Sequence, residues 1–127
     1  MLIFTYGTLR RGYGNHPLLG DSKYLGDART EPKFTMLNMG RFPGLVASGE
    51  TAVVGELYEV DEDVLAELDH LEGHPNFYRR SPITVIGDSG ELAVQAYLLR
   101  NEWLDTESRI VASGDWANRN VMAAAGA

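Results

Sequence analysis

The sequence contains no cysteine, and that absence removes three kinds of chemistry together: a disulfide framework, a thiolate nucleophile and a cysteine-ligated zinc. Basic residues are also few, 11 Lys and Arg against 18 Asp and Glu, for a net charge of -7. A chain this acidic repels phosphate backbones, and its arginines are scattered instead of forming a stripe, so no nucleic-acid partner is expected. No apolar run approaches the roughly 18 residues of a membrane-spanning helix. Met1-Leu2-Ile3-Phe4 lacks the basic flank and length of a signal peptide, so no membrane association is expected and the expected location is the cytoplasm. Internal repeats and low-complexity linkers are missing too. What remains is 127 residues with 44% hydrophobic and 23% charged side chains, the composition of one globular domain. That domain is expected over residues 1–116. The tail 117–127, ending MAAAGA, has little to bury and is expected to fray.

Strand signals dominate. Leu2 to Tyr6 is a short apolar run ending in Gly7. Lys23 to Arg29 and Lys33 to Met39 read as extended around Glu31-Pro32, and Ala52 to Val60 alternates as a strand does. Pro82 to Ile86 and Glu91 to Leu99 flank Gly87-Asp88-Ser89-Gly90, which is hairpin chemistry. Asn15 is placed to cap a helical turn through Pro17, Leu18 and Leu19 that Gly20 can end. Gly40 to Gly49, with Pro43 and Gly44 inside it, reads as a loop. Five or six strands against one good helix, joined by hairpins and not helical crossovers, give an α+β fold: a small, mainly antiparallel mixed β-barrel with one or two flanking helices.

The helix DEDVLAELDHLEG, Asp61 to Gly73, holds the most informative residue. At about 100° per residue, Val64, Leu65, Leu68 and Leu71 form one apolar stripe, while Asp69 and His70 point away from it. Glu72 lies four residues after Leu68 and seven after Leu65, within the stripe. It also falls in the last turn, where the helix dipole disfavours an anion. Burial and dipole both raise its pKa, which suits a carboxyl to accepting and returning a proton near neutrality. Periodicity leaves a second arrangement open, in which the helix frays at Leu71 and Glu72 swings into solvent or pairs with Arg79 or Arg80.

Other patterns carry less. His70 and His74 flank Glu72 in HLEGH, but Gly73 and Pro75 should end the helix between them, and the order is not the HExxH of metalloproteases. No metal site is expected there. GDSG at Gly87 is a turn signal, GYGNHP lacks the third glycine of a dinucleotide fingerprint, and no GK[ST] loop exists. Tyr58, Tyr78, Tyr97, Trp103 and Trp116 read first as packing residues.

YGTLRRGYGNH, FPGLV, VVGELYEVDEDVLAELDHLEGHPNFYRR, VQAYLL and SGDW follow one another between Ile3 and Trp116. Together they resemble the gamma-glutamylcyclotransferase-like family, and within it the gamma-glutamylamine cyclotransferase and AIG2-like branch. The resemblance implies a small mixed barrel that releases 5-oxoproline from a gamma-glutamyl group on an amine or amino acid. It places the acid/base glutamate on Glu72 and the backbone that binds the glutamyl moiety on Tyr6, Gly7, Thr8 and Leu9. In this light the glycine after the first strand permits close approach of a ligand, and successive N–H groups can hold a carboxylate or oxyanion. Tyr78 and Tyr97 are possible pocket-lining residues without an assigned step. No metal or organic cofactor is required. Two other readings are a non-catalytic module of the same fold that holds a small anionic ligand, and metal-dependent hydrolysis through His70, Glu72 and His74.

Overall fold

In β1 (Leu2–Thr5) the neighbours Ile3 and Phe4 are both buried, yet they pack into different clusters. The computed structural model, which describes residues 1–105 and 109–119, repeats this division along the chain. Phe4, Met36, Leu45, Leu57 and Ala96 belong to one core, and their immediate successors or predecessors Ile3, Leu37, Val46, Tyr58 and Tyr97 to another. Alternate side chains of a strand point to opposite faces, so a strand covered on both sides must be apolar at consecutive positions. The short apolar runs of the sequence are the signature of that double burial.

After β1 and a 3-10 turn at His16–Leu19 come β2 (Lys23–Thr30), β3 (Phe34–Asn38), β4 (Pro43–Thr51) and β5 (Val54–Glu59). The helix α1 (Glu62–Leu71) leads to β6 (Arg79–Gly87), β7 (Gly90–Leu98) and, after a 3-10 turn at Asn101–Asp105, the two-residue β8 (Arg109–Ile110). Five strands close a barrel in the order β1-β5-β2-β6-β7. Its neighbours are antiparallel except where β1 meets β7 in parallel, Ile3 opposite Gln95. The expected mixed, mainly antiparallel barrel with a flanking helix is thus the observed one. A second sheet, β4-β3-β8, adds a layer and is joined to the end of β7 by the Leu99 amide, which donates to the Leu45 carbonyl at 2.8 Å.

The segment read as a loop, Gly40 to Gly49, is a correction: most of it is β4. Pro43 occupies the first position of the strand, where a missing N–H is tolerated. Gly44 and Gly49 are there because neighbours come close. A Cβ on Gly44 would lie 2.0 Å from Leu99 Cδ1, and one on Gly49 2.2 Å from Thr35 Oγ1, beside the register shift between Phe34 and Thr35. The hairpin β6–β7 pairs Gly87 with Gly90 around Asp88-Ser89, as its sequence indicates. Asp61 caps α1 by accepting the Val64 amide at 2.8 Å. Asn15, by contrast, makes no side-chain cap to the turn after it.

Near the C-terminus Asp115 accepts the Ala117 amide and starts the turn Trp116–Asn118, whose Trp116 is 1% exposed in the barrel-side core. Residues 120–127, most of the segment expected to fray, lie outside the described residues. Among the described residues no helix is long and apolar enough to cross a membrane.

Candidate active site

The end of α1 decides where Glu72 goes. The His74 amide bonds back to the Asp69 carbonyl (2.9 Å) and the Gly73 amide to the His70 carbonyl (3.2 Å), with Gly73 at φ +65°. These two bonds make a Schellman stop, which satisfies the last carbonyls and fixes the C-cap residue, Glu72, in helical geometry. The helix therefore does not fray before the glutamate. Its carboxyl enters a cavity of about 270 Å³. Of the two arginines offered as alternative partners, Arg80 is engaged elsewhere: its Nε contacts Asp69 Oδ1 at 2.9 Å. Burial pushes Glu72 up from 4.5 to about 7, and no ion pair opposes the shift.

Around this side chain the cavity is lined by four stretches distant in sequence. The loop after β1 contributes Tyr6, Gly7, Thr8 and Leu9, with Asn15 beyond them. Phe42 and Pro43 come from the start of β4. Leu71, Phe77 and Tyr78 come from the end of α1 and the segment after it, and Tyr97 from β7. Glu72, Tyr6, Gly7, Thr8, Leu9, Tyr78 and Tyr97 thus all line one cavity. The amides of Gly7, Thr8 and Leu9 donate to no acceptor among the described residues, although the Gly7 and Thr8 carbonyls accept from Arg10 and Asn15. Thr8 Oγ1 also accepts from Asn15 Nδ2 at 2.8 Å, so Asn15 braces the loop instead of capping the helical turn.

The tyrosines close the walls. Tyr6 Oη donates to the Tyr97 carbonyl, tying the loop to β7, and Tyr78 Oη donates to the Pro43 carbonyl, tying the post-helix segment to β4. Tyr97 Oη donates to Asp69 at 2.7 Å. Burial raises the pKa of all three phenols, with the bond to Asp69 a further cause for Tyr97. They remain protonated, and each has its hydroxyl proton committed to a protein acceptor. Tyr78 and Tyr97 are accordingly both core and pocket wall.

Two positions depart from helical periodicity. Leu71, assigned to the buried stripe, is 41% exposed at the mouth of the cavity. Asp69, assigned to solvent, accepts from Tyr97 and Arg80 and is only partly exposed. The Asp69 difference arises because Tyr97 of β7 and Arg80 at the start of β6 reach the last turn of α1, where the amphipathic pattern registers no neighbour. His74 Nδ1 accepts the Arg80 amide at 3.0 Å, and His70 is exposed. Neither histidine lines the cavity.

Glycine at position 7 also has a reason within the fold itself. A Cβ there would stand 2.5 Å from Pro43 Cγ and 2.6 Å from Pro43 Cδ. The close approach that Gly7 permits is between two walls of the cavity, the loop after β1 and the first residue of β4.

One supporting residue has no signal in the sequence. Glu56, on β5, is 6% exposed. It accepts the Arg11 amide and the Tyr58 hydroxyl, both at 2.9 Å, on Oε1. This anchors the far end of the loop to the barrel. Glu56→Ala strands a buried hydroxyl and a backbone amide, at about 1–3 kcal/mol each. A thermal or denaturant melt should show a loss of about 2–4 kcal/mol, with Glu56→Gln milder because one acceptor remains. Equal stability of Glu56→Ala and the parent would mean that the loop is held without it.

A small mixed barrel whose cavity gathers Glu72 with the loop after β1 is the frame of the candidate site. The chain belongs to the family described as gamma-glutamyl cyclotransferase, AIG2-like, whose model matches residues 3–118. A protein of Methanocaldococcus jannaschii provisionally named as a gamma-glutamylcyclotransferase is 43% identical over 98 residues, 76% of this chain and 80% of that one. The gamma-glutamylaminecyclotransferase of Rattus norvegicus is 38% identical over 93 residues, 65% of this chain and 62% of the rat protein. Among solved structures, an AIG2-like protein from Mus musculus superposes with a TM-score of 0.74 at 30% identity, covering 85% of this chain and 84% of the mouse chain.

Proposed function

We propose that the protein cyclises a gamma-glutamyl group attached to an amine or amino acid, releasing 5-oxoproline and the free amine, with Glu72 as the single general acid/base. The observation that carries this reading is the placement of a carboxyl with a pKa of about 7 opposite the free amides of Gly7, Thr8 and Leu9.

The alpha-ammonium of the glutamyl group has a pKa near 8. Passing its proton to an ordinary glutamate at about 4.3 is uphill by nearly four units, roughly 5 kcal/mol. Passing it to a group at about 7 is uphill by about one unit, on the order of 1.4 kcal/mol. The freed amine attacks the gamma-carbonyl carbon of the same molecule and forms the C–N bond of a five-membered ring. Negative charge develops on the carbonyl oxygen. When the intermediate collapses the original C–N bond breaks, and protonated Glu72 delivers its proton to the departing nitrogen. The ring nitrogen sheds its remaining extra proton to the departing amine or to water, so that the products are the neutral lactam and the protonated amine, and the carboxyl is regenerated. Because the reaction is intramolecular, folding the substrate in a cavity supplies much of the rate. The loop amides orient the glutamyl carboxylate or stabilise the oxyanion, at about 3 kcal/mol for a well-placed oxyanion donor. No step calls on a metal or an organic cofactor.

Incubation with gamma-glutamyl amines and amino acids, with and without chelator, tests the proposal through the product. 5-Oxoproline released in both conditions supports it. Free glutamate released only without chelator would instead point to metal-dependent hydrolysis, and saturable binding without release to a binding module.

The pH dependence follows from the raised pKa. The ionised carboxyl is the base, so kcat/KM should climb as pH rises and reach half its plateau near 7, the value to which burial lifts Glu72. A profile flat from pH 5 to 8 would remove the raised pKa from the mechanism.

A further inference from the structure

We infer, resting on the cyclisation reading above, that Arg80 and Tyr97, acting with Asp69, are positioning residues: one cross-strand pair of the barrel grips both the turn that carries Glu72 and the loop after β1. Arg80 on β6 and Tyr97 on β7 are direct partners in the ladder, so their side chains leave the same face of the sheet. Both reach Asp69, one turn before Glu72. Tyr97 Oη donates to Asp69 Oδ1 at 2.7 Å, while the guanidinium donates through Nε to Oδ1 at 2.9 Å and through Nη2 to Oδ2 at 3.2 Å. A forked contact of this kind fixes orientation as well as distance.

Arg80 also holds the chain beyond Glu72. Its backbone amide donates to His74 Nδ1 at 3.0 Å, so the glutamate lies between two points tied to the same residue. The ties matter because the apolar anchorage of α1 ends at Leu68. That residue is buried, Val64 and Leu65 before it are partly buried, and Leu71 after it is exposed. Apolar contact has no direction and leaves the rotation of the last turn open, whereas hydrogen bonds set it. On its other side the Tyr97 carbonyl accepts the Tyr6 hydroxyl, and Tyr6 begins the loop that lines the cavity with Glu72. Tyr97 is thus bonded to the helix end through its hydroxyl and to the loop through its backbone.

The consequence falls on Glu72 itself. Its carboxyl is raised by burial, so a helix end released from its ties admits water and lets the value fall toward the ordinary one. The surrounding ionisable groups separate this from a charge effect. After burial, the charge of Glu72 is among the causes that raise the phenols of Tyr6, Tyr78 and Tyr97, which stay protonated. Burial acts to raise Asp69, but the bonds from Arg80 and Tyr97 outweigh it and hold the carboxyl below its usual value. Asp69 and Arg80 therefore form an ionised, balanced pair, and His70 and His74 lie outside the lining. Through charge alone, loss of Arg80 would leave Asp69 unbalanced and push Glu72 up. Through lost positioning, it lets Glu72 down.

The test is an NMR titration of the Glu72 side-chain carboxyl carbon, assigned as the signal that Glu72→Gln lacks, run beside kcat and KM for 5-oxoproline release. The proteins are the parent, Tyr97→Phe, Arg80→Met and Arg80→Lys. Tyr97→Phe keeps the ring, the carbonyl and every charge. It is expected to lower the midpoint from about 7 by at least about half a pH unit, and kcat by about tenfold or more with a smaller change in KM, because misplaced reacting groups slow the chemical step. Arg80→Met is expected to move the midpoint the same way. Arg80→Lys should recover part of the loss, since it restores the charge without the fork. Joining Tyr97→Phe to Arg80→Met should lower kcat by less than the product of the two separate effects, because both act through Asp69. An unmoved midpoint in Tyr97→Phe, with kcat within about twofold of the parent, would reduce the cluster to support of the fold, whatever the melting temperature does. A midpoint that rises in Arg80→Met would mean charge balance in place of positioning. Should Arg80→Met not fold, Tyr97→Phe decides alone. If the parent releases no 5-oxoproline, the cyclisation reading is what fails, and the titration by itself then decides whether these residues hold the buried carboxyl in place.

Discussion

Glu72→Gln is expected to lower kcat/KM for 5-oxoproline release by roughly 10²–10⁴-fold, the usual contribution of a positioned general acid/base. The amide fills the same space but cannot take a proton from the alpha-ammonium. The same substitution should make the protein more stable at pH 8, not less. Glu72 titrates at about 7 in the folded protein against an ordinary 4.5, so the folded state holds its proton over a window in which the unfolded chain has already released it. Stability of the parent should fall as pH rises from about 4.5 to 7. The full penalty is present above 7, on the order of 2–3 kcal/mol once partial solvent access is allowed for. Glutamine does not ionise and escapes that penalty. Urea melts of both proteins at pH 5 and pH 8, beside the activity assay, check the two effects separately. A variant within a few-fold of parent activity, or a stability difference that does not grow with pH, would exclude Glu72 as the base held at raised pKa.

Gly7→Val is expected to damage stability and binding together. Its first carbon would lie 2.5 Å from the Pro43 ring, and a proline ring at the head of β4 has no rotamer to yield. Overpacking of this kind costs about 1–3 kcal/mol. The two walls that must separate to relieve it are ones that line the cavity. Melting should fall by several degrees, and affinity for 5-oxoproline should fall with it. Thr8→Ala should be mild by comparison, because it keeps every backbone donor and removes one hydrogen bond to Asn15, worth about 0.5–1.5 kcal/mol. Pro43→Ala in the Gly7→Ala background offers a rescue, since it opens the space that the new methyl group needs. If Gly7→Val binds 5-oxoproline as the parent does, the loop after β1 is a turn and not a ligand wall.

Much of this architecture was legible in local patterns because the relevant interactions are local. Asp61 caps the helix it precedes, Asp88-Ser89 turns the hairpin that its flanking glycines frame, and Gly73 stops the helix with Glu72 as the last residue in helical geometry. The barrel follows from short apolar runs joined by tight turns. β4 was not legible, because Pro43, Gly44 and Gly49 are local signals for a loop, while the two glycines are required by the side chains of Leu99, just after β7, and of Thr35 on β3.

The sequence by itself determined an acidic chain without cysteine chemistry, a mixed barrel, and a glutamate on the inward side of its helix. Each of these depends on composition or on spacing within one element. Only the tertiary structure decided what surrounds that glutamate. It took Arg80 away to Asp69, set Gly7 against Pro43, and gave Glu56 to the backbone of Arg11. These contacts join residues on different elements, some of them far apart in the chain. No helical or strand period encodes such pairings, because they come into being only when the barrel closes and brings the ends of β1, β4 and α1 to one opening.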